Sequence, residues 1–150
     1  MRLVVQRVKW AKCEVDGKLS GKCENGYMVL VGVGLDDNKD IVKKMADKLS
    51  KLRVFEDTEG KMNLDIFAVN GSILSISQFT LYADNKKGNR PSFTNARKGE
   101  EAKELYEYFN DCLRKSGLHV ETGIFGADMQ VSLLNDGPVT IILDSGEIIK

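Results

Sequence analysis

The sequence predicts an α+β protein with a mostly antiparallel, barrel-like β-sheet and two main helices packed outside it. Segments of strand length that are apolar or alternate in polarity recur along the chain, and two segments show the periodicity of an amphipathic helix. Runs of strands interrupted by two helices are typical of this class, and a barrel protects its sheet edges. The chain of 150 residues has no repeat or linker, so we expect one domain over residues 1–150.

A β-hairpin is the first predicted element. Residues 4–15 alternate loosely, Asp16-Gly17 is a strong turn dipeptide, and residues 19–23 form the returning strand. The apolar run at 27–33 follows, and its continuity indicates a strand buried on both faces.

Two helices are expected, over residues 38–52 and 100–116. Asp37 with Asp40 suits the start of the first, whose apolar stripe comprises Ile41, Val42, Met45, Leu49 and Leu52. The second starts with acidic residues and ends with basic ones, which suits the helix dipole, and Gly117 follows it.

The remaining segments are predicted strands and turns. A short strand at 52–55 precedes a turn at 58–60, and a longer strand covers 72–82. After the second helix come strands near 118–124, 128–135 and 139–144.

Charge and composition exclude several classes of function. The 22 basic and 22 acidic side chains balance, so a general nucleic-acid coat is unfavourable and any RNA contact has to be local. The first ten residues do not resemble a signal peptide, and no stretch reaches the roughly 18 apolar residues of a membrane span. We therefore expect a cytoplasmic protein without a membrane partner.

Cysteine and histidine are too few for most metal sites. Cys13, Cys23 and Cys112 are odd in number and lack CxxC spacing, which indicates reduced structural thiols. His119 is the single histidine, so one chain cannot build a zinc site from two imidazoles. We expect no metal and no cofactor.

Two familiar catalytic patterns are absent. A Ser-His-Asp or Cys-His mechanism needs an imidazole beside the nucleophile, and His119 begins a strand, where a structural histidine is the commoner interpretation. The segment Gly32-Val33-Gly34 lacks the third glycine of a dinucleotide fingerprint. Neither pattern carries a function.

Two polar segments are stronger candidates. The first, Ser77-Gln78-Phe79-Thr80-Leu81, introduces polar side chains on both faces at the end of a predicted strand. The second, Asn135-Asp136-Gly137-Pro138-Val139-Thr140, places one of only two prolines where a strand begins, beside a glycine that permits close approach. An edge strand and a plain hairpin turn would explain the same patterns, so both interpretations stay open on pattern alone.

Together the two segments resemble the motif pair of the D-aminoacyl-tRNA deacylase family, also described as D-tyrosyl-tRNA(Tyr) deacylase. The segments 2–8, 88–93 and 123–129 agree, so the resemblance runs from end to end with the motifs in the expected order. It implies a hydrolase that cuts the ester bond of D-aminoacyl-tRNA, and of glycyl-tRNA mischarged on tRNA-Ala. The activity that the resemblance implies is a chiral proofreading step in translation quality control.

The resemblance also implies a homodimer with two active sites at its interface. The catalytic segment of one subunit would comprise Ser77, Gln78, Phe79 and Thr80. Gly137 and Pro138 of the other subunit, joined by a cis bond, would exclude L side chains. Arg7, Phe125 and Met129 match family positions near the pocket, with packing at the interface as the alternative role for each.

Two mechanisms are compatible with these residues. Thr80 could be a nucleophile, but its motif holds no histidine or lysine to activate the hydroxyl. The resemblance implies an alternative in which the 2′-hydroxyl of the terminal adenosine positions or activates water, while main-chain donors around Gln78 and Phe79 stabilise the oxyanion. We favour the substrate-assisted mechanism.

A basic group in the polar segment 83–98 is the candidate contact for the tRNA acceptor stem, with a solvated loop as the alternative. It comprises Lys86, Lys87, Arg90, Arg97 and Lys98.

Three rival functions remain: a related deacylase with another chirality or tRNA preference, a non-catalytic RNA- or DNA-binding module, and a structural dimerisation domain. The motif forms found here favour the D-specific group.

Overall fold

The computed structural model describes residues 1–149. Its elements, in chain order, are β1 (Arg2–Val15), β2 (Lys18–Cys23), β3 (Gly26–Gly32), α1 (Lys39–Ser50), β4 (Phe55–Glu56), β5 (Met62–Leu64), β6 (Ser72–Ser77), a 3-10 helix (Phe79–Tyr82), α2 (Gly99–Lys115), β7 (Val120–Thr122), β8 (Gln130–Asp144) and α3 (Ser145–Ile148). The predicted α+β class and the two main helices are confirmed. The short elements β5 and α3 had no counterpart in the sequence prediction.

The opening hairpin forms as predicted. β1 and β2 pair antiparallel, and the turn residues Asp16 and Gly17 have φ of 51° and 75°. Positive φ at both central residues is the geometry that Asp-Gly adopts in tight hairpin turns. β3 then continues antiparallel to the first half of β1, and most of its residues are buried, as its apolar run indicated.

The sheet is mixed, and the prediction of a mostly antiparallel sheet was wrong. β3 pairs parallel to β6, and β6 pairs parallel to β7. Parallel neighbours need a crossover connection, and here α1 lies between β3 and β6 in the chain while α2 lies between β6 and β7. Periodicity assigns a strand's faces but carries no information about the direction of its neighbour.

The sheet curls until its two ends nearly meet. The order is β2-β1-β3-β6-β7, with β8 along the other edge of β1. At the closing seam, Ser20 Oγ donates to the Thr122 carbonyl at 3.0 Å, and the Lys22 N–H donates to the Glu121 carboxylate at 3.0 Å. Side-chain bonds thus join β2 and β7, as the barrel-like prediction required.

Two apolar clusters occupy the two faces of the curled sheet. The larger lies under α1 and α2 and includes Leu3, Tyr27, Met45 and Phe109. The smaller lies on the inner face; its buried members are Val8, Ala11, Cys13, Cys23, Met28, Leu74 and Ile76. Several residues packed against this smaller cluster are only partly buried, so that face is incompletely covered.

Two sequence predictions differ in their boundaries. The cap of α1 is Asn38, whose side chain accepts from the Ile41 N–H, whereas Asp37 is buried and accepts from the Gly34 N–H at 2.6 Å. The strand predicted over 72–82 ends at Ser77 and gives way to the 3-10 helix. Asp37 was misassigned because a carboxylate before a helix can bind either the helix or a tertiary partner.

The segments predicted as two strands, 128–135 and 139–144, belong to one long strand, β8. Both pair with β1 in the same direction, with register shifts where β1 passes Arg7. The segment 136–138 is therefore an interruption within a strand, and the hairpin interpretation was wrong.

Within the described residues, no helix is long and apolar enough to cross a membrane.

Gly21 gives a test of the closing seam. A Cβ at this position would lie 2.4 Å from the main-chain oxygen of Thr122, so Gly21→Ala has to push β2 away from β7. We expect a loss of about 1–3 kcal/mol in the free energy of unfolding, measured by urea denaturation. Lys18→Ala, an exposed change on the same strand, is the control and should cost less than about 0.5 kcal/mol. Equal effects of the two substitutions would show that the seam is not tight.

Candidate active site

The first half of the candidate site is the turn that follows β6. The Gln78 N–H continues the sheet by donating to the Val31 carbonyl at 2.8 Å, and the chain then enters the 3-10 helix that carries Thr80. Two glycines of the neighbouring segment let this helix lie close: a Cβ at Gly34 would be 2.7 Å from the Tyr82 ring, and one at Gly32 would be 3.0 Å from the Leu81 Cβ.

The Thr80 hydroxyl has a defined partner. Gln78 Nε2 donates to Thr80 Oγ1 at 2.6 Å, on an exposed part of the surface. Since this bond occupies an oxygen lone pair, the hydroxyl proton is directed elsewhere and remains available to a ligand. Thr80 is therefore set up as a hydrogen-bond donor.

The main-chain donors differ from the sequence expectation. Gln78 cannot offer its N–H to an oxyanion, because that group already bonds to Val31. The first N–H groups of a helix have no partner within it, and those of Phe79 and Thr80 donate to no other residue of 1–149. The available pair is therefore one residue further along the chain than expected.

A cavity of about 370 Å³ lies beside this turn. Its walls are Ile76, Ser77, Gln78, Phe79, Arg97, Lys98, Gly99, Phe125, Gly126, Ala127, Asp128, Met129 and Val131. The structure thus brings together most of the expected catalytic segment and two of the three expected supporting residues. Thr80 is exposed and does not line the wall.

The loop 123–129 is held by contacts from the helix and the sheet. The Tyr106 ring packs against Phe125 with centroids 6.0 Å apart, and its hydroxyl donates to the Ser75 carbonyl at 2.7 Å. Burial raises the pKa of the Tyr106 phenol, so it remains a donor. A Cβ at Gly123 would be 2.4 Å from Met129 Sδ, so glycine makes room for that side chain. In the sequence Tyr106 appeared only as an apolar helix position.

The second half of the candidate site is the Gly137-Pro138 corner. The peptide bond between these residues is cis, as the family resemblance implied, and both residues are exposed. Asn135 spans the corner: its Oδ1 accepts from the Val139 N–H at 3.1 Å, and its Nδ2 donates to Thr140 Oγ1 at 3.1 Å. Asn135 belongs to the second polar segment, but the sequence pattern gave no indication of this role.

Arg7 supports the corner and does not line the cavity. The side chain is buried, with Nε donating to the Asp136 carbonyl at 3.0 Å and Nη1 to the Val54 carbonyl at 2.7 Å. Carboxylates of Glu56 and Asp136 lie 3.9 and 3.7 Å away and balance its charge. A buried guanidinium with these partners fixes the main chain next to Gly137.

The two halves are well separated within one chain. The Thr80 helix is tied to Arg2, while the corner lies beside Arg7. Five residues of extended strand span about 16 Å, too far for one substrate ester to touch both. The Thr80 turn and the Gly137-Pro138 corner are therefore separate surfaces of one chain.

Known proteins resemble this chain over nearly its whole length. The family model described as D-Tyr-tRNA(Tyr) deacylase matches residues 4–144. D-aminoacyl-tRNA deacylases from Thermosipho africanus and Bacillus pumilus are 55% and 56% identical, covering 99% and 98% of this chain and 99% and 100% of their own. The chain belongs to the D-aminoacyl-tRNA deacylase family. It is accordingly an enzyme of the hydrolase class.

Solved structures agree on the fold of this deacylase family member. One, named c-Myc DNA Unwinding Element Binding Protein, has a TM-score of 0.90 at 41% identity and covers 96% of this chain and 98% of that one. Another, "Structural Analysis of a probable eukaryotic D-amino acid tRNA deacylase", has a TM-score of 0.81 at 16% identity over 95% of this chain and 97% of that one, and it shares the fold.

The five basic residues of the polar segment 83–98 differ in exposure. Lys86, Lys87, Arg90 and Lys98 are exposed. Arg97 is directed inward: its guanidinium donates to the carbonyls of Gly34, Leu35 and Asp37 and to the Glu101 carboxylate. Arg97 thus braces the start of α2. Phe93, from the same polar segment, packs edge-on against Phe79 at 5.1 Å and joins that segment to the Thr80 turn.

Two other features lie apart from these surfaces. His119 is exposed and pairs with Glu121 at 2.7 Å, and this hydrogen bond lowers the pKa of the Glu121 carboxyl. A larger cavity, of about 690 Å³, lies behind the Thr80 helix between Asp37, Tyr82 and Asp144. It contains no residue of the two polar motif segments and only Tyr82 of the 3-10 helix, so size does not identify the active site here.

Proposed function

We propose that this chain hydrolyses the ester bond of D-aminoacyl-tRNA and releases the free D-amino acid and tRNA. The observation that carries the proposal is the identity of 55% over 99% of the chain to a protein named for that reaction. The cavity beside the Thr80 turn is of a size to hold one aminoacyl group. Glycyl-tRNA mischarged on tRNA-Ala would be a further substrate, because glycine has no side chain to exclude.

A second copy of the chain is the proposed partner that completes each site. Residues of the incompletely covered inner sheet face form a row across three strands, from Ile142 through Val4 to Leu30. Ile142, at the edge of this row, is 71% exposed. Apolar groups of this size on a strand favour burial against another surface. The face continues to Ile76 and Val131 in the cavity wall, which favours a homodimer interface at the site.

In the proposed dimer, the Gly137-Pro138 corner of one subunit would lie over the cavity of the other. Main-chain carbonyls at the corner would accept from the substrate ammonium, which is a charge-assisted bond. With the amino group and ester held, a D side chain would point outward and an L side chain would collide with the corner. Specificity would then arise from steric exclusion, and many D-amino acids would be accepted.

The proposed chemistry is substrate-assisted. The hydrogen bond from Gln78 to Thr80 favours a threonine that donates to the substrate over one that loses its proton. Water would be positioned or activated by the 2′-hydroxyl of the terminal adenosine and attack the ester carbonyl. The N–H groups of Phe79 and Thr80 would stabilise the oxyanion, and the tRNA 3′-oxygen would leave with a proton.

The tRNA contact is proposed for the exposed lysines and arginine of the polar segment. Lys86, Lys87, Arg90 and Lys98 would bind acceptor-stem phosphates. Arg97 would act indirectly, since its donors are already bonded within the protein. The link between Phe93 and Phe79 would then connect the tRNA-bound segment to the ester.

Nucleic-acid binding without catalysis is the rival that one comparison favours, because a structure 41% identical to this chain is named a DNA-binding protein. D-tyrosyl-tRNA and L-tyrosyl-tRNA, offered separately, distinguish the two. A D-specific deacylase hydrolyses the D-ester and leaves the L-ester at its spontaneous rate, and it also hydrolyses glycyl-tRNA. Hydrolysis of neither ester would identify a binding module, and equal rates for both would eliminate the steric exclusion.

Thr80 variants test the mechanism. Thr80→Ala should keep measurable deacylation, with kcat reduced by about 10²-fold or less, the scale of one lost transition-state donor. Gln78→Glu should also lower kcat, because a carboxylate would accept the threonine proton that the substrate needs. Thr80→Ser, which keeps the hydroxyl, is the matched control. A loss approaching about 10⁶-fold in a folded Thr80→Ala protein would instead identify a nucleophile.

The lysine pair tests the tRNA surface. Replacing Lys86 and Lys87 together with Ala should raise KM and reduce the slope of log KM against log salt by roughly 1–2, because two phosphate contacts are lost. Lys48 and Lys51, also exposed, give a control double variant of the same charge. If both double variants have the wild-type salt dependence, phosphates bind elsewhere.

A further inference from the structure

The 3-10 helix that carries Thr80 lacks the usual sources of rigidity. None of its residues, 79–82, is buried, and no side chain caps its amino-terminal end. Such a short helix leaves carbonyls without partners at its carboxyl end. Its position therefore depends on bonds that other elements supply.

Arg2, at the start of β1, makes two contacts with this helix and one with Asp144, at the end of β8. Nη1 donates to the Leu81 carbonyl at 2.9 Å, the guanidinium lies 4.6 Å from the centre of the Tyr82 ring, and Nε bonds to Asp144 Oδ2 at 2.7 Å. The side chain thus joins the last turn of the 3-10 helix to the end of β8. The Tyr82 ring also lies against the main chain at Gly34, where glycine leaves room for it.

The Arg2–Asp144 pair is directional and partly exposed. The side chains are 41% and 25% exposed, and pairs of this kind contribute little to global stability. Their mutual hydrogen bond raises the pKa of Arg2. At Asp144 burial is the largest single influence and raises the pKa, but the bonds from Arg2 and the Gly146 N–H, with the nearby positive charges, together lower it below its usual value. Asp144 orients the guanidinium, so the consequence of the pair is local geometry.

We propose that Arg2 is a positioning residue for deacylation, which fixes the Thr80 helix, and with it the Phe79 and Thr80 N–H groups, by tying Leu81 and Tyr82 to Asp144. The inference rests on the proposed function, because it assigns those donors to the reaction. Arg2 itself touches no reacting atom. It acts through a helix whose displacement by a fraction of an ångström misaligns the donors from the ester.

A lysine can replace this arginine only in part. The planar guanidinium uses separate N–H groups for the carboxylate and the carbonyl while its face covers an aromatic ring. An ammonium can bind the carboxylate or the carbonyl, but it does not stack on Tyr82 in the same way. The conservative variant should therefore recover some of the loss.

Steady-state deacylation of D-tyrosyl-tRNA tests the inference. We expect Arg2→Met to lower kcat by roughly 10- to 100-fold, with KM within about twofold of wild type and a nearly unchanged melting temperature. Arg2→Lys should lie between the two, and Asp144→Asn should reproduce part of the loss. Arg53→Met removes an exposed arginine that binds Asn63, and it should leave both constants unchanged.

Several outcomes would overturn the inference. They are an unchanged kcat in Arg2→Met, a change confined to KM, or a loss of activity that follows loss of folding across Arg2→Lys and Asp144→Asn. The double variant Arg2→Met with Thr80→Ala should lose less than the product of the single losses, because both act on one turn. Full additivity would show that Arg2 acts elsewhere. If the wild-type protein does not hydrolyse D-tyrosyl-tRNA, the proposed function is wrong. If the wild type and Arg2→Met are equally active, only this inference is wrong.

Discussion

The antiparallel pairing of β1 with β8 is the constraint on which the rest of the structure depends. Gln6 faces Thr140 and Val8 faces Asn135, so four residues of β8, 136–139, stand opposite the single residue Arg7. Since the ladder resumes on both sides, the extra residues must leave the plane of the sheet as a corner. Arg7 fills the space behind them and satisfies the Asp136 carbonyl, which gives the corner a fixed shape without a large core beneath it.

The same pairing separates the two halves of the site. Its far end, where Arg2 meets Asp144, lies beside the Thr80 helix, and the corner lies about five residues along β1, roughly 16 Å away. The proposed dimer would bring the two halves together, and the apolar row of exposed Ile142 with half-buried Val4 and Leu30 is the surface on which the second chain would pack.

Sequence reasoning predicted those parts of the molecule that local patterns encode. The Asp16-Gly17 hairpin and both main helices were found within a few residues, because turn chemistry and apolar periodicity are local. The direction of β6, the continuity of β8 and the role of Asp37 depend on partners distant in the chain, and they were missed or wrong. At the site, the motif residues came from a family resemblance. Arg2 and Tyr106 bond to residues distant in the chain, and the bonds of Asn135 to Val139 and Thr140 depend on the shape of the corner, so no spacing reveals them.

The wall of the cavity beside the Thr80 turn holds three titratable side chains, Arg97, Lys98 and Asp128, and His119 is not part of it. Asp128 is the one carboxylate among them and is exposed, and the wall holds no imidazole. The proposed chemistry therefore relies on main-chain N–H groups and on the substrate's own hydroxyl. Main-chain donors cannot be tuned by changing a side chain, only by moving the backbone. The rate of such an enzyme is therefore set by what holds the backbone, which here means Gly32 and Gly34 beneath the 3-10 helix and Arg2 at its end.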